Sequence, residues 1–591
     1  MCGIAGLINF DGNTIKNTES ILNMLRVQKH RGPDDSGLNA FDLISGEQTS
    51  LSTKRKTVIP GNYTGILGFN RLSILDLSDN GHQPMTSPDH RVLLALNGEI
   101  YNSFDYKPEL KKWGYNFRST TDTEVVLALY MRYGFQGMLN RLNGMFAIVV
   151  IDLRKQELYI TRDRFGIKPM YYVFNNKYLA FASELKSFKF LNYFRYRLDE
   201  SRMDEFLLYR SNLNGTLFKD IDTLVPGSYI SYSLRNGFSI QKYFDINIYS
   251  RRNESEGDLS FYGGCLEDWL SKSVKSQLMS DVKLGCQLSG GIDSSIVTWL
   301  ANRNSEKGKF EAVSIIFDNE RFSEENFINT VTRGLEIPSH RFQLDSDYYL
   351  DHIEETAWHL EVPLNHPNTI AIYKLSQMAK RYVTVLLSGE GADEVFGGYN
   401  RFYNIHYPFR IRKILHEAKS NRRDPDSFFD YFAGDYRAIM ETAFMSPYLA
   451  KKLWHGFNKK RAINERIKLY NVLEGSLFDR QVKYEMQTYL PDLLIRQDKM
   501  SMAHSIENRV PFLDNDVVEN SFSIPEKFLL LKSSPEGYNT EKYLMKKMAA
   551  KEFGNAFAFR NKMGFGIPVK SFFLNKRFNE YLKEKVVPGI R

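Results

Sequence analysis

Two glycine-rich turns, each following an apolar strand, constrain this 591-residue chain more than any other feature. Val282 to Leu288 reads as a strand that runs into Ser289-Gly290-Gly291-Ile292-Asp293-Ser294-Ser295, where a helix from Ile292 to Leu300 begins. Tyr382 to Leu387 reads as a second strand and ends in Ser388-Gly389-Glu390-Gly391-Ala392-Asp393-Glu394. Glu311 to Phe317 supplies another apolar strand between them, and helices dominate from about residue 400. Strand, glycine turn and helix, repeated, is the pattern of a parallel α/β sheet, which binds ligands at the carboxyl ends of its strands. Both turns fall there.

The chemistry of the turns follows from their residues. In the first, glycine lets the backbone approach closely, serine hydroxyls add donors, and a helix N-terminus aims unpaired N–H groups at one spot. That geometry suits phosphate, and Asp293 suits Mg²⁺ bridging phosphate oxygens. The plainer alternative is that Asp293 and Ser294 only cap the helix. The spacing is not that of the Walker loop. In the second turn, Glu390, Asp393 and Glu394 lie within five residues and would repel unless a cation or a proton separates them. Asp393 reads as a second Mg²⁺ ligand and Glu390 as a base or orienting group near the reacting nitrogen, with an exposed acidic loop as the alternative.

The first half of the chain has a different character. Phe146 to Asp152 and Glu157 to Arg162 read as a β-hairpin, and Arg91 to Leu96 as a strand ending in Asn97-Gly98-Glu99. Thr123 to Met131 has helical spacing, so sheets with helices on their outer faces are expected. A cysteine stands second in Met1-Cys2-Gly3-Ile4. If Met1 is removed, Cys2 holds a nucleophilic thiol and an α-amino base in one residue. Arg71 suits a substrate carboxylate, Asn97 and Gly98 an oxyanion, and Asp122 a substrate ammonium. Taken singly, each residue has a structural reading: a small buried hydrophobe, a surface ion pair, a turn, a helix cap.

Composition excludes other classes. The net charge of +8 is small against 78 basic and 70 acidic side chains, and no dense basic block with interleaved aromatics suggests nucleic acid. With 34 Tyr and 42 Phe the chain has ample material for filled cores. Three cysteines, Cys2, Cys265 and Cys286, make neither a disulfide framework nor a zinc site of usual spacing. No basic leader precedes an apolar run, and no apolar run approaches the roughly 20 residues of a membrane span. A cytoplasmic protein of two to four domains is expected, with a polar linker around Tyr249 to Gly257.

Taken in order, the motifs resemble a known family. Met1-Cys2-Gly3-Ile4, His30-Arg31-Gly32-Pro33-Asp34, Arg71-Leu72-Ser73-Ile74, Asn97-Gly98-Glu99-Ile100-Tyr101-Asn102 and Arg162-Asp163-Arg164-Phe165-Gly166 are similar to a class II, N-terminal-nucleophile glutamine amidotransferase. The Ser289–Ser295 turn is similar to the pyrophosphatase loop of ATP-cleaving synthetases. With Ser388–Tyr399 and Ser501–Asp514 the whole resembles the glutamine-hydrolysing asparagine synthetases. The resemblance implies an amino-terminal αββα sandwich over residues 2–215 and a connection over 216–255. A parallel-sheet, adenine-nucleotide-hydrolase-like synthetase domain with a helical C-terminal part would then fill 256–591. It implies Cys2 as nucleophile, Asn97 and Gly98 as oxyanion hole, and Arg71, Glu99 and Asp122 around glutamine. For ATP it implies Ser289, Gly290, Gly291, Asp293, Ser294, Ser295, Ser388 and Gly389, with Leu288 and Ile315 flanking the adenine and Lys562 facing the pyrophosphate. Asp293 and Asp393 would hold Mg²⁺, and Glu390 would assist proton transfer. Glutamine, ATP and a carboxylate, aspartate above all, are the implied substrates, and homodimers are common among such enzymes.

The acceptor is where this chain departs from the family pattern. Where many relatives carry an acidic residue shortly before a small hydroxyl residue, it has Asn365-His366-Pro367-Asn368-Thr369. Another carboxylate, on a surface sugar or a specialised metabolite, is therefore the alternative acceptor. A non-catalytic homologue is the remaining reading, disfavoured because Cys2, Asp293, Asp393 and Lys562 are all present.

Overall fold

The computed structural model describes residues 2–251, 257–306, 308, 310–318, 323–402, 434–531, 541–562 and 566–586. Part of the expected linker (252–256), Met1 and residues 563–565 of the Lys562 motif lie outside them.

Near-continuous apolar runs in the amino-terminal strands, buried on both faces, produce a four-layer sandwich. One antiparallel sheet orders Asp222–Thr223, Tyr171–Phe174, Tyr178–Ala182, Gly3–Asn9, Gly65–Arg71, Asp35–Phe41 and Gln48–Ser50. A second orders Gly237–Lys242, Ser228–Ser233, Glu157–Arg162, Gly144–Asp152, Val92–Ile100 and Met85–Thr86. In the second sheet Leu93, Ala95, Ala147, Val149 and Ile151 point inward and pack with Ile4, Phe41, Leu67 and Phe181 of the first. Their neighbours Leu94, Leu96, Phe146, Ile148 and Val150 point outward onto Val125, Val126 and Leu129 of the helix Asp122–Leu139. The outer face of the first sheet is covered by Ile21, Leu22 and Leu25 of the helix Glu19–Val27 together with Leu185 and Phe188. A period of two on both faces, each covered, is the signature of an αββα sandwich.

Two expectations change here. Asn97, Gly98 and Glu99 lie inside the strand Val92–Ile100, paired with Ala147, Phe146 and Met145, instead of following it as a turn. The segment 216–255 is more than a connection, because Asp222–Thr223 pairs with Tyr171 and Tyr172 while Ser228–Ser233 pairs with both Glu157–Arg162 and Gly237–Lys242. Its short strands, with Pro226 and Gly227 between the first two, owe their pairing to strands distant in sequence, which a reading as a connection did not anticipate.

The second unit holds a parallel sheet in the order Ser339–Gln343, Phe310–Ile316, Leu284–Gln287, Val385–Leu387 and Glu507–Arg509. Leu284–Gln287 and Val385–Leu387 are adjacent, so both glycine turns leave the same edge side by side. The helix Ile292–Asn304 follows the first turn, and the 26-residue helix Leu477–Met502 crosses the sheet's carboxyl end.

Gly98 has φ +150°, and a Cβ there would lie 1.9 Å from the Met145 carbonyl oxygen across the strand pair. Gly98→Ala is expected to destabilise the sandwich by about 2 kcal/mol, read as a lower urea midpoint; an unchanged midpoint would contradict this register.

Candidate active site

The strand pairing Gly3–Asn9 to Gly65–Arg71 brings Cys2 beside Asn97 and Leu72. The Cys2 backbone nitrogen donates to Asn97 Oδ1 at 2.8 Å, and Cys2 Sγ lies 4.0 Å from the Leu72 carbonyl oxygen. Asn97 is buried and its Nδ2 has no hydrogen-bond partner among the described residues. A buried amide donor left open costs stability unless something accepts from it. A cavity of about 20 Å³, room for about one water, is lined by Cys2, Arg71, Gly98, Glu99 and Asp122. Arg71 is oriented by the carbonyls of Leu75, Asp76 and Ser78. Asp122 is not the helix cap; Thr121 caps that helix, and Asp122 Oδ2 accepts from the Ile100 nitrogen at 2.8 Å.

Burial pushes the Cys2 thiol above its ordinary value, so a base must take its proton before it can act. Burial also raises Glu99, with Asp122 and Glu507 adding repulsion, and it raises Asp122. Two buried carboxyls whose charged forms are disfavoured stand beside the thiol, and a cationic group placed against them would favour their charge.

The second cluster lies where the two turns meet. A Cβ on Gly389 would stand 2.7 Å from the Ser294 nitrogen and 2.9 Å from Asp293 Cβ, so only glycine permits this approach. Gly291 occupies the N-cap position without a side-chain cap, which leaves neither Asp293 nor Ser294 in the capping role. Ser294 Oγ accepts from the Ser289 nitrogen at 3.2 Å and the Gly291 nitrogen donates to Ser289 Oγ at 3.2 Å, closing the loop on itself. A cavity of about 260 Å³ is lined by Ser289, Gly291, Asp293, Ser294, Ser388, Gly389, Glu390, Asp393 and Lys562. Leu288, Gly290, Ser295 and Ile315 do not line it; Leu288 and Ile315 are buried in the apolar clusters behind the sheet edge.

Lysines bridge the carboxylates. Lys542 Nζ lies 2.6 Å from both oxygens of Asp293 and 2.6 Å from Asp393 Oδ1, while Lys562 Nζ lies 2.6 Å from Asp393 Oδ2. Burial raises Asp393, but Lys542 and Lys562 outweigh it and hold the group well below the carboxylate range. Burial lowers Lys542, and Asp293 and Asp393 more than reverse that. Burial raises Glu390 despite Arg496, and pushes Glu394 up to about 8 with Asp393 adding repulsion. Two oxygen-donor side chains that need cations, beside a phosphate-shaped loop, suit Mg²⁺ completed by substrate phosphates. The described residues contain no group of three such ligands.

The 365–369 segment borders this cavity through His366 and Asn368. His366 Nε2 lies 2.9 Å from Asp492 Oδ2, and Asn365 Nδ2 donates to Asp492 Oδ1 at 3.0 Å. Both Asp492 oxygens are therefore engaged. Burial lowers His366, against the pull of Asp492.

Lys542 and Arg496 were invisible in the sequence. Lys542 is one of 78 basic residues with no motif around it, and Arg496-Gln497-Asp498-Lys499 is a run of polar residues although all four are buried. Replacing Lys542 by Met leaves Asp293 and Asp393 without their shared cation. ATP-dependent pyrophosphate release should fall at least 100-fold while glutamine hydrolysis measured without ATP stays within about threefold; full release would remove Lys542 from the site.

Residues 265–589 match the family described as asparagine synthase, and residues 1–244 match a glutamine amidotransferase domain. The chain is 30% identical to asparagine synthetase [glutamine-hydrolyzing] 1 of Bacillus subtilis, covering 99% of this chain and 89% of that protein. It is 25% identical to amidase chry2 of Gibberella zeae, covering 94% and 87%. Among solved structures, the glutamine phosphoribosylpyrophosphate amidotransferase of B. subtilis aligns at 17% identity and a TM-score of 0.31, covering 57% of this chain and 65% of that one, a likeness too slight to argue from. On the extent of the first match and the identity along nearly the whole chain, the protein belongs to the asparagine synthase family.

Proposed function

We propose that this protein makes an amide from glutamine, ATP and an acceptor carboxylate, with aspartate giving asparagine as the first reading. The observation that carries it is the presence in one chain of two distinct clusters: a buried thiol beside an open amide donor, and a phosphate-shaped loop beside lysine-bridged carboxylates. The name of the B. subtilis relative supports aspartate. We place the boundary between the two units near residue 250, past the last strand paired to the sandwich and before the helix Leu259–Ser276. We also propose a cytoplasmic setting, in which the thiols of Cys2, Cys265 and Cys286 stay free.

In this reading the Cys2 thiol gives its proton to the α-amino group freed by removal of Met1, and Sγ attacks the glutamine amide carbon. Asn97 Nδ2 and the Gly98 backbone hold the oxyanion. The carbon–nitrogen bond breaks, the nitrogen takes the proton and leaves as ammonia, and water releases glutamate from the thioester. Arg71 orients the glutamine carboxylate, and Glu99 and Asp122 its ammonium. At the other cluster an acceptor carboxylate oxygen attacks the ATP α-phosphorus and pyrophosphate leaves. Asp293 and Asp393 would hold Mg²⁺, which neutralises phosphate charge when bound. Lys542 and Lys562 shift from the aspartates to the departing pyrophosphate. Ammonia attacks the acyl carbon, AMP leaves, and Glu390 takes the surplus proton. Adenylation is needed because a carboxylate alone has no workable leaving group. Ammonia made inside the protein reaches the acyl group before water can protonate it.

A second reading, another acceptor carboxylate, is favoured by one observation: His366, in the segment that departs from the family's acidic pattern, lines the cavity, and Asp492 behind it is fully engaged. The amidase name of the G. zeae relative is in keeping with a wider acceptor range.

Cys2→Ala should abolish glutamine-driven turnover and leave ammonia-driven turnover within about twofold; equal loss of both would sink the two-site reading. Aspartate should stimulate pyrophosphate release and yield asparagine by mass, whereas release only with another carboxylate would select the second reading. Because Glu390 acts as a carboxylate and burial raises it, its active form is lost as pH falls through a value above the ordinary range. At constant free ammonia, the acidic limb of the synthesis rate should lie above that of an exposed glutamate and vanish in Glu390→Gln. A limb unchanged by that substitution would assign the base elsewhere.

A further inference from the structure

Cys2 is not held by its own unit alone. Arg31, fully buried, donates Nε to the Cys2 carbonyl oxygen at 3.0 Å and Nη2 to Asp498 Oδ2 at 2.8 Å. Asp498 stands in the helix Leu477–Met502 of the second unit. Lys168 Nζ, also buried, lies 3.7 Å from Asp498 Oδ1. The neighbourhood is tied down across the same boundary: Ser505 Oγ donates to the His30 carbonyl at 2.6 Å, and Glu361 accepts from the Leu185 and Lys186 nitrogens and from Lys499.

The two residues before Asp498 face the other cluster. Gln497 Nε2 donates to Gln287 Oε1 at 2.9 Å, and Arg496 Nη1 donates to Asn368 Oδ1 at 2.7 Å. Gln287, Asn368 and Arg496 line the nucleotide cavity. Successive helical residues point about 100° apart, so a single turn places side chains on both sites. Asp498 therefore stands within one helical turn of two side chains that border the cavity, and it holds the guanidinium that reaches the carbonyl of Cys2.

We propose that Asp498 is a positioning residue for glutamine hydrolysis, seating Arg31 against Cys2 according to the state of the nucleotide cavity. The proposal rests on the reading of Cys2 as the nucleophile. It makes hydrolysis respond to ATP and acceptor, so that ammonia is released when an acyl group is ready for it.

The test compares glutamine hydrolysis in the full-length protein with and without ATP-Mg²⁺ and acceptor, for wild type, Asp498→Asn and Arg31→Lys. Wild type should be stimulated, and both variants should lose at least 10-fold of that stimulation through kcat, with KM for glutamine within about twofold. Ammonia-driven pyrophosphate release should stay within about twofold in both. Arg31→Lys keeps a cation beside Asp498 while removing the fork that reaches Cys2, so it carries the test if Asp498→Asn does not fold. Stimulation intact in the variants, absent in wild type, or lost in parallel with ammonia-driven release would overturn the proposal. A Cys2→Ala control that still hydrolyses glutamine would instead refute the underlying reading.

Discussion

Four carboxyl groups, those of Asp293, Glu390, Asp393 and Glu394, converge where two adjacent parallel strands end, and cations make the arrangement tolerable. Unit charges 4 Å apart interact by about 4 kcal/mol at an effective dielectric of 20, so like charges in this space cannot be left alone. Lys542 and Lys562 neutralise Asp293 and Asp393, while Glu394 relieves the strain by protonation, with a value near 8. The site is thus poised for a ligand that brings both phosphate for the lysines and a divalent cation for the aspartates. Under the proposed function, ATP with Mg²⁺ would be such a ligand.

The amino-terminal site follows the same logic with the opposite partners. Cys2, Glu99 and Asp122 are buried among apolar strands and pushed toward their neutral forms. Asn97 keeps its amide donor open beside the thiol. Arg31 joins this site to the helix that borders the cavity of the second cluster, through a hydrogen bond on each side. A cavity of about 520 Å³ between the two units is lined by Phe165, Leu185, Asp492 and Arg496, and Arg496 also lines the nucleotide cavity. This space at the junction of the units is larger than the cavity at either cluster, about 260 Å³ and about 20 Å³.

Local signals announced the fold where burial and periodicity agree. The apolar run Phe146 to Asp152 and the strand–glycine–helix run from Val282 to Leu300 both appear in the structure, with ends shifted by at most four residues. Asn97 and Gly98 were misread as following their strand because Gly98 breaks strand propensity, yet only glycine fits opposite Met145. The short strands after residue 216 depend on partners far away in sequence, which no local pattern reports. The same holds for the site. Cys2, Asp293 and Asp393 stood in recognisable motifs. Lys542, Arg496 and Asp498 owe their roles to tertiary contacts with residues about 130 to 470 positions distant.

The central claim is that nitrogen passes from Cys2 to the acyl group without leaving the protein. Glutamine labelled with ¹⁵N in its amide, supplied with ATP-Mg²⁺, acceptor and an excess of unlabelled ammonium, tests it in one experiment. The account predicts that the product amide keeps most of the ¹⁵N. Dilution of the label to the bulk ammonium ratio would contradict it and make the two sites independent.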